Sequence, residues 1–496
     1  MMAGRDGSLD RKKIARRGRD QHRIERATRP QAQRRRPIEA LTVPAESEAV
    51  SSIARGWVPA LLFIAAFTVL GGFTGGPGRP LFVLGCVAVA AFAWRNGIAA
   101  HFQACLVLFA FAPFVRRIVD NSAGYDELGL MLVGPLAALL VPAVELRRLL
   151  DPKASLDDRF GPLMLVGACI LYAGVLSLLQ GKMNDTASGL IKWFSPILYA
   201  AVLAMRANRD EILEASVSAF CVILPITGLY GILQYVDPQA WDRYWMEFAP
   251  ILSIGQPVPF GVRVFSTMNS PASFASFTVV GLLLVAFLRS GWMSLLVALP
   301  SILALLLSLY RTAWLAMAIS LMFCLLFAQT RGKAQIIMLA LVLAGAVAVT
   351  IPPFSDVIGD RLATLGQGSQ DGSFQERLQQ YSTLWSLPDS SLIGNGFTVT
   401  DVGSAGQMPI DGMIIACWVM MGIVVGILCL CGFFWAISGA VLRALVERSR
   451  QAVLVGGMAM GGLLQMPLAN ISAAEAGFLF WSFVVLGPVI DRGRAS

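Results

Sequence analysis

The sequence predicts an all-α protein, a polytopic transmembrane bundle of about 12–14 helices with one large loop on its outer side. Composition points there first: of 496 residues, 56% are hydrophobic and only 14% charged, where soluble domains carry about a quarter charged. Apolar stretches of roughly 17–25 residues, enough to cross the hydrocarbon of a bilayer, recur along the chain. Lys and Arg fall on alternate connections between those stretches, as the positive-inside rule asks of a threaded chain.

Residues 1–55 contain "RKKIARRGRD" and "RRRP" with almost no aromatics. So much charge with so little apolar surface predicts a disordered basic tail. It supplies much of the net charge of +8, and is expected in the cytoplasm against anionic membrane lipids, with no nucleic acid as partner. The first apolar run, from Trp57, follows too long a polar leader and lacks the cleavage site of a signal peptide. Transmembrane helices are expected over 56–351, in windows near 57–73, 79–95, 98–115, 128–145, 161–180, 188–205, 212–236, 271–288, 292–309, 312–328 and 334–351. More follow over 410–490, near 410–435, 452–470 and 474–490. Residues 352–409 between them, rich in Gly, Ser and Asp, form the expected large periplasmic loop, and 491–496 a second cytoplasmic tail. With both termini cytoplasmic, roughly three quarters of all Lys and Arg lie on that side of a multi-pass bacterial inner-membrane protein. The eight cysteines lie in apolar segments without metal-ligand spacing, and no nucleotide-binding glycine loop occurs. Neither metal nor cofactor is expected.

Basic residues that break the charge rule are Arg79, Arg116, Arg117, Arg243, Arg263, Arg311, Arg361 and Arg377, with Lys182 and Lys192 on the same side. A snorkelling or ion-paired side chain explains any one of them. Several converging on one face point to an anionic ligand. In "RVFSTMNSPASFASF", Ser270 is placed to cap and Pro271 to open a helix, so Arg263 stands above a helix N-terminus with its unsatisfied N–H groups. In "SLYRTAWLA", Arg311 interrupts an apolar run at the tip of a helical hairpin. Trp241, Tyr244 and Trp245, in the connection 237–270, are expected at the lipid interface or along a sugar face. In the large loop, Phe374, Leu378, Tyr381 and Trp385 have the spacing of a short amphipathic helix ending before Pro388, and it carries Arg377.

Arg263 within "RVFSTMNSPASFA", Arg311 within "YRTAWLA", Arg377 followed by "LW" and "LIGNGF", and the polar opening of "PIDGMIIACWVMMGIV" occur in an order that resembles the O-antigen ligase and O-antigen polymerase superfamily of bacterial membrane enzymes. The likeness runs from about residue 260 to 427; the earlier helices agree only in being membranous. It implies a membrane glycosyltransferase whose substrate is a glycan on undecaprenyl diphosphate, joined to an acceptor hydroxyl on the periplasmic side, with a chain-length regulator and a flippase as further partners. Ligases of the superfamily carry a histidine near the start of the helix after the loop, where this chain has Asp411. Its only histidines are His22, in the tail, and His101, expected as a packed residue. The departure favours a polymerase of O-antigen or exopolysaccharide repeats over ligation of finished glycan.

Cleaving a sugar–diphosphate bond builds charge on the leaving group, and guanidinium groups neutralise it bidentately. Arg263, Arg311 and Arg377 are therefore expected as a diphosphate clamp, and Asp411 as the base for the acceptor hydroxyl or, equally, as a helix N-cap. Glu376, Asp371, Trp245, Tyr381 and Trp385 are expected to contact substrate. A single displacement inverts C1. Two other classes fit the composition: a secondary transporter, whose charges should lie near the midplane, and a non-catalytic export component.

Overall fold

The computed structural model describes residues 56–150, 157–249, 251–289, 291–348, 392–399 and 412–487, with 350 and 382 as single positions. The two tails and all but Ser382 of the helix expected around 374–385 lie outside the described residues. No strand forms among the described residues; one antiparallel bridge joins Gly255 and Val262. A helix stands at every expected window. In order they are α1 (Trp57–Thr74), α2 (Gly78–Arg95), α3 (Ile98–Ala123), α4 (Val133–Leu140), α5 (Phe160–Leu179), α6 (Met183–Arg206) and α7 (Arg209–Val236). After a short loop helix, α8 (Ala240–Phe248), come α9 (Pro271–Leu288), α10 (Trp292–Leu307), α11 (Arg311–Leu325) and α12 (Ala328–Ala348). The chain then continues through α13 (Met413–Glu447), α14 (Arg450–Gln465) and α15 (Ala474–Val484).

Nine helical segments among the described residues are long and apolar enough to cross a membrane. The chain is a multi-pass membrane protein. Helix α3 is its centre and α1 its rim, since 83% of an 18-residue apolar window of α3 is buried inside the bundle and 17% of that of α1. In a bilayer every backbone polar group must find a partner within the chain, which is why spans are helical. Helix starts carry the chemistry expected of them. Ser270 accepts from Ser273 N at 3.2 Å with Pro271 behind it, and Asn208 and Ser449 cap α7 and α14 in the same way.

Three windows differ from a plain span. The one near 128–145 is a 3-10 turn (Leu130–Leu132), then α4, then a 3-10 stretch (Val141–Leu150). Pro135 and Pro142 remove donors that a continuous helix would need. The window near 474–490 holds a helix only to Val484. The third, α13, folds back on itself at Gly422, whose φ of 74° and ψ of 172° are outside the helical region. Cys417 and Cys429 have sulfurs 3.9 Å apart, although twelve residues of straight helix would separate them by ~18 Å. Thus 413–421 is a short limb climbing to the elbow, and the long limb descends from it to Glu447.

The elbow is shaped around the end of the loop. Gly394 (φ 91°) lies so close to Gly422 that a Cβ on it would stand 2.4 Å from Gly422 N. Asn395 N donates to Val419 O at 2.8 Å and Phe397 N to Ser177 Oγ at 2.6 Å. Phe397 is buried against Gly189 of α6. The "LIGNGF" segment is thus wedged between α5, α6 and the elbow.

Candidate functional site

The segment 262–269 is irregular yet buried, so its backbone needs partners. Arg263 N donates to Ile254 O at 2.9 Å and Val264 N to Leu307 O at 3.1 Å. Gln234 of α7 accepts from Phe265 N at 3.0 Å and Ser266 N at 2.8 Å. Ser266 itself is held in the left-handed region, at φ 51°. Arg117, fully buried in α3, anchors the arrangement: it donates to Ser266 O and, at 2.7 Å, to Asp242 of α8. The other oxygen of Asp242 accepts from Tyr230 Oη at 2.6 Å, and Tyr230 accepts from Trp241 Nε1 at 2.8 Å. A buried arginine stacked 4.8 Å over Phe265 therefore fixes the strip that ends at Arg263.

Arg263 reaches the α10–α11 turn, where its Nη2 donates to Leu309 O at 3.2 Å. Leu309 has φ 53°, reversing the chain so that Arg311 becomes the first residue of α11. Both arginines are half-buried, and they meet at one turn. Helix α11 packs tightly on α14: a Cβ on Gly461 would stand 2.8 Å from Ala316 O. Arg311 lies five residues above Ala316 and Gln465 four beyond Gly461, ~7.5 and ~6 Å along their helices, so they share a level. Gln465 accepts from Ser276 Oγ of α9 at 3.1 Å, and Met413 N donates to Met466 O at 2.8 Å. The start of the short limb of α13 is thereby brought to the same level. Beside the arginines, α10, α11 and α12 border an open apolar cavity of about 610 Å³, lined by Leu305, Leu306, Trp314, Met317, Met338 and Leu341 among others.

Of the remaining expected residues, Arg377, Asp411, Glu376, Asp371, Tyr381, Trp385 and Arg361 lie outside the described residues. The residue that precedes the first turn of α13 is Gly412, pressed onto Pro467 with φ 95°. Trp245 differs from its expected place on a lipid or sugar face. It is buried in a small core with Ile254, Val262 and Phe265, with Arg116 stacked at 4.9 Å, because the connection 237–270 folds into a cap with an interior of its own. Four of the rule-breaking arginines are ion-paired: Arg79 with Asp120 (3.0 Å), Arg116 with Asp120 (3.1 Å), Arg117 with Asp242 and Arg243 with Asp237 (2.8 Å). His101 is fully buried, its ring nitrogens 3.1 Å from Tyr199 Oη and Ala138 O. Sequence reasoning missed Gln234, Tyr230 and Asp242 as supports of 262–269. Gln465 and the Gly422 elbow also escaped, since one glycine or glutamine in an apolar run carries no signal.

Fold and site define a multi-pass helical membrane protein with two guanidinium groups gathered at one end, beside an apolar cavity. A family model described as O-antigen ligase matches residues 296–430, and the resemblance to the O-antigen ligase and polymerase superfamily holds over that stretch. Arg311, Arg377 and Asp411 fall within the match, and Arg263 precedes it. No curated protein matches the chain.

Proposed function

We propose that the chain is a membrane glycosyltransferase that polymerises oligosaccharide repeat units carried on undecaprenyl diphosphate, at the periplasmic face of a bacterial inner membrane. The observation that carries this reading is the meeting of Arg263 and Arg311 at one turn beside an apolar cavity. A lipid diphosphate is an amphiphile of that shape, with phosphate for the guanidinium groups and hydrocarbon for the cavity. Both arginines stabilise the departing diphosphate while the acceptor hydroxyl attacks C1 from the opposite face, inverting it. Arg377 completes the clamp, and Asp411, one residue before the Gly412 cap, takes the hydroxyl proton. Glu376, Asp371, Tyr381 and Trp385 hold the sugars from the loop.

Purified protein given a lipid-diphosphate oligosaccharide, with no ion gradient, should produce longer chains; no elongation would leave the ligase and export-component readings. A ligase is the second reading, favoured by the description of the matching family model. The two separate in cells through Asp411→Asn. Loss of a polymerase leaves single repeats on the carrier and Asp411→His fails to restore polymer, whereas long carrier-linked chains in Asp411→Asn cells would establish ligation.

A further inference from the structure

At the end of the bundle opposite Arg311, the start of α5 and the ends of α13 and α15 surround a second cavity, of about 180 Å³. One wall is apolar and faces outward: Trp435, Leu442 and Val446 of α13 are 45%, 46% and 71% exposed. In a membrane helix such positions meet lipid chains. The other wall carries Asp158, Arg159 and Arg443. Arg443 is only 5% exposed; its Nη2 donates to Val484 O at 2.5 Å, while its Nε is buried with no partner. Asp158 Oδ1 is buried and without a partner as well. The charges around them are engaged elsewhere, apart from the buried Oε1 of Glu447. Arg159 donates to Asp157 at 2.5 Å and to the carbonyls of Ala204 and Gly487 at 2.8 Å each, and Arg209 pairs with Glu447 at 2.6 Å.

A buried guanidinium and a buried carboxylate oxygen with unmet hydrogen-bonding capacity are costly. Here they line one cavity without bonding each other. A ligand with an anionic and a cationic group a few bonds apart meets Arg443, whose Nη groups lie beside Gly439 of the wall, and Asp158 where they line the cavity, and the apolar wall beside them calls for an attached hydrocarbon chain. We propose that this cavity binds a zwitterionic phospholipid with a primary-ammonium headgroup, of the phosphoethanolamine type. Its phosphate lies on Arg443, its ammonium on Asp158, and an acyl chain runs along Trp435, Leu442 and Val446. The chemistry sets the selectivity: a choline headgroup has no N–H to donate to Asp158, and a phosphoglycerol headgroup brings no cation. The site is separate from the one that frames Arg311 and does not rest on the proposed transfer reaction.

The test uses the full chain in vesicles of equal parts phosphatidylethanolamine, phosphatidylglycerol and phosphatidylcholine, extracted in mild detergent, with retained lipid identified by native mass spectrometry. The wild type should retain the ethanolamine lipid in preference to both others. Asp158→Asn should cut its preference over the choline lipid about tenfold, the loss of one charge-assisted hydrogen bond, and Arg443→Gln should lower retention of all three. Equal retention of the three headgroups by wild type, a preference for phosphatidylglycerol, or unchanged selectivity in Asp158→Asn would overturn the assignment. Should Arg443→Gln fail to fold, wild-type selectivity and Asp158→Asn decide the matter.

Discussion

In α3, Arg116 and Arg117 direct their guanidinium groups to carboxylates, Asp120 at 3.1 Å and Asp242 at 2.7 Å. At the same end of the bundle, Arg263 donates to the Leu309 carbonyl and Arg311 opens a helix beside an apolar cavity. Both regions concentrate positive charge where the charge rule disfavours it, the first against carboxylates of its own helix and of α8 and the second at a helix turn beside an apolar cavity. Sequence position alone does not separate a guanidinium that holds the fold from one offered to a ligand. For Arg117 the carboxylate that answers the question lies 125 residues away.

The comparison is tested most severely by Arg117→Leu. Leaving Asp242 buried without its partner should cost about 3–5 kcal/mol of stability, read as a lower unfolding midpoint in detergent, and Asp242→Leu added to it should recover part of the loss. Unchanged stability would mean that the pair does not anchor 262–269. Next comes Arg311→Lys. A point charge replacing a forked donor should leave the unfolding midpoint in place and cost roughly 2–4 kcal/mol of transition-state stabilisation, about 30- to 1000-fold in the rate of chain elongation. A stability loss with normal elongation would move Arg311 into the company of Arg117. Gly422→Ala tests the elbow of α13. A side chain at φ 74° should cost about 1–3 kcal/mol and dislodge the loop end, since its Cβ would stand 2.1 Å from Leu392 O. Cross-linking of cysteines placed at 395 and 419 should then fall relative to the parent. The smallest effect belongs to Arg243→Ala. Its bond to Asp237 is largely exposed, with side chains 47% and 60% accessible, so unfolding should shift by no more than about 1 kcal/mol.

The spans were legible in the sequence because lipid leaves a backbone so few options that an apolar window of the right length is almost a helix by necessity. Ser270 and Pro271 gave away the start of α9 for an equally local reason. What escaped notice depends on contacts across the fold. The pairing of Arg117 with Asp242 spans 125 residues, and nothing near either residue names the other. Trp245 is aromatic in a connection, which fits an interface, a sugar face or a small core, and only the folding of 237–270 chooses the last. Glycine is common in membrane helices, so Gly422 looked like any other until Gly394 was found against it. Of the candidate site, Arg263 and Arg311 were identified by their motifs, and their meeting at Leu309 required the turn itself.

The bond from Met413 N to Met466 O sets two helix ends of opposite polarity against each other. The first turn of α13 carries a partial positive charge and the last turn of α14 a partial negative one, each about half an elementary charge. Abutting, they nearly cancel. Helix α11 meets a partner of the same kind, since α10 ends at Leu307 across the turn from Arg311, whereas α9 begins at that end with its positive pole toward it. Helix dipoles therefore contribute little net charge where α13 meets α14 and where α10 meets α11, and the pull on an anion at the latter turn comes from the guanidinium groups of Arg311 and Arg263 themselves.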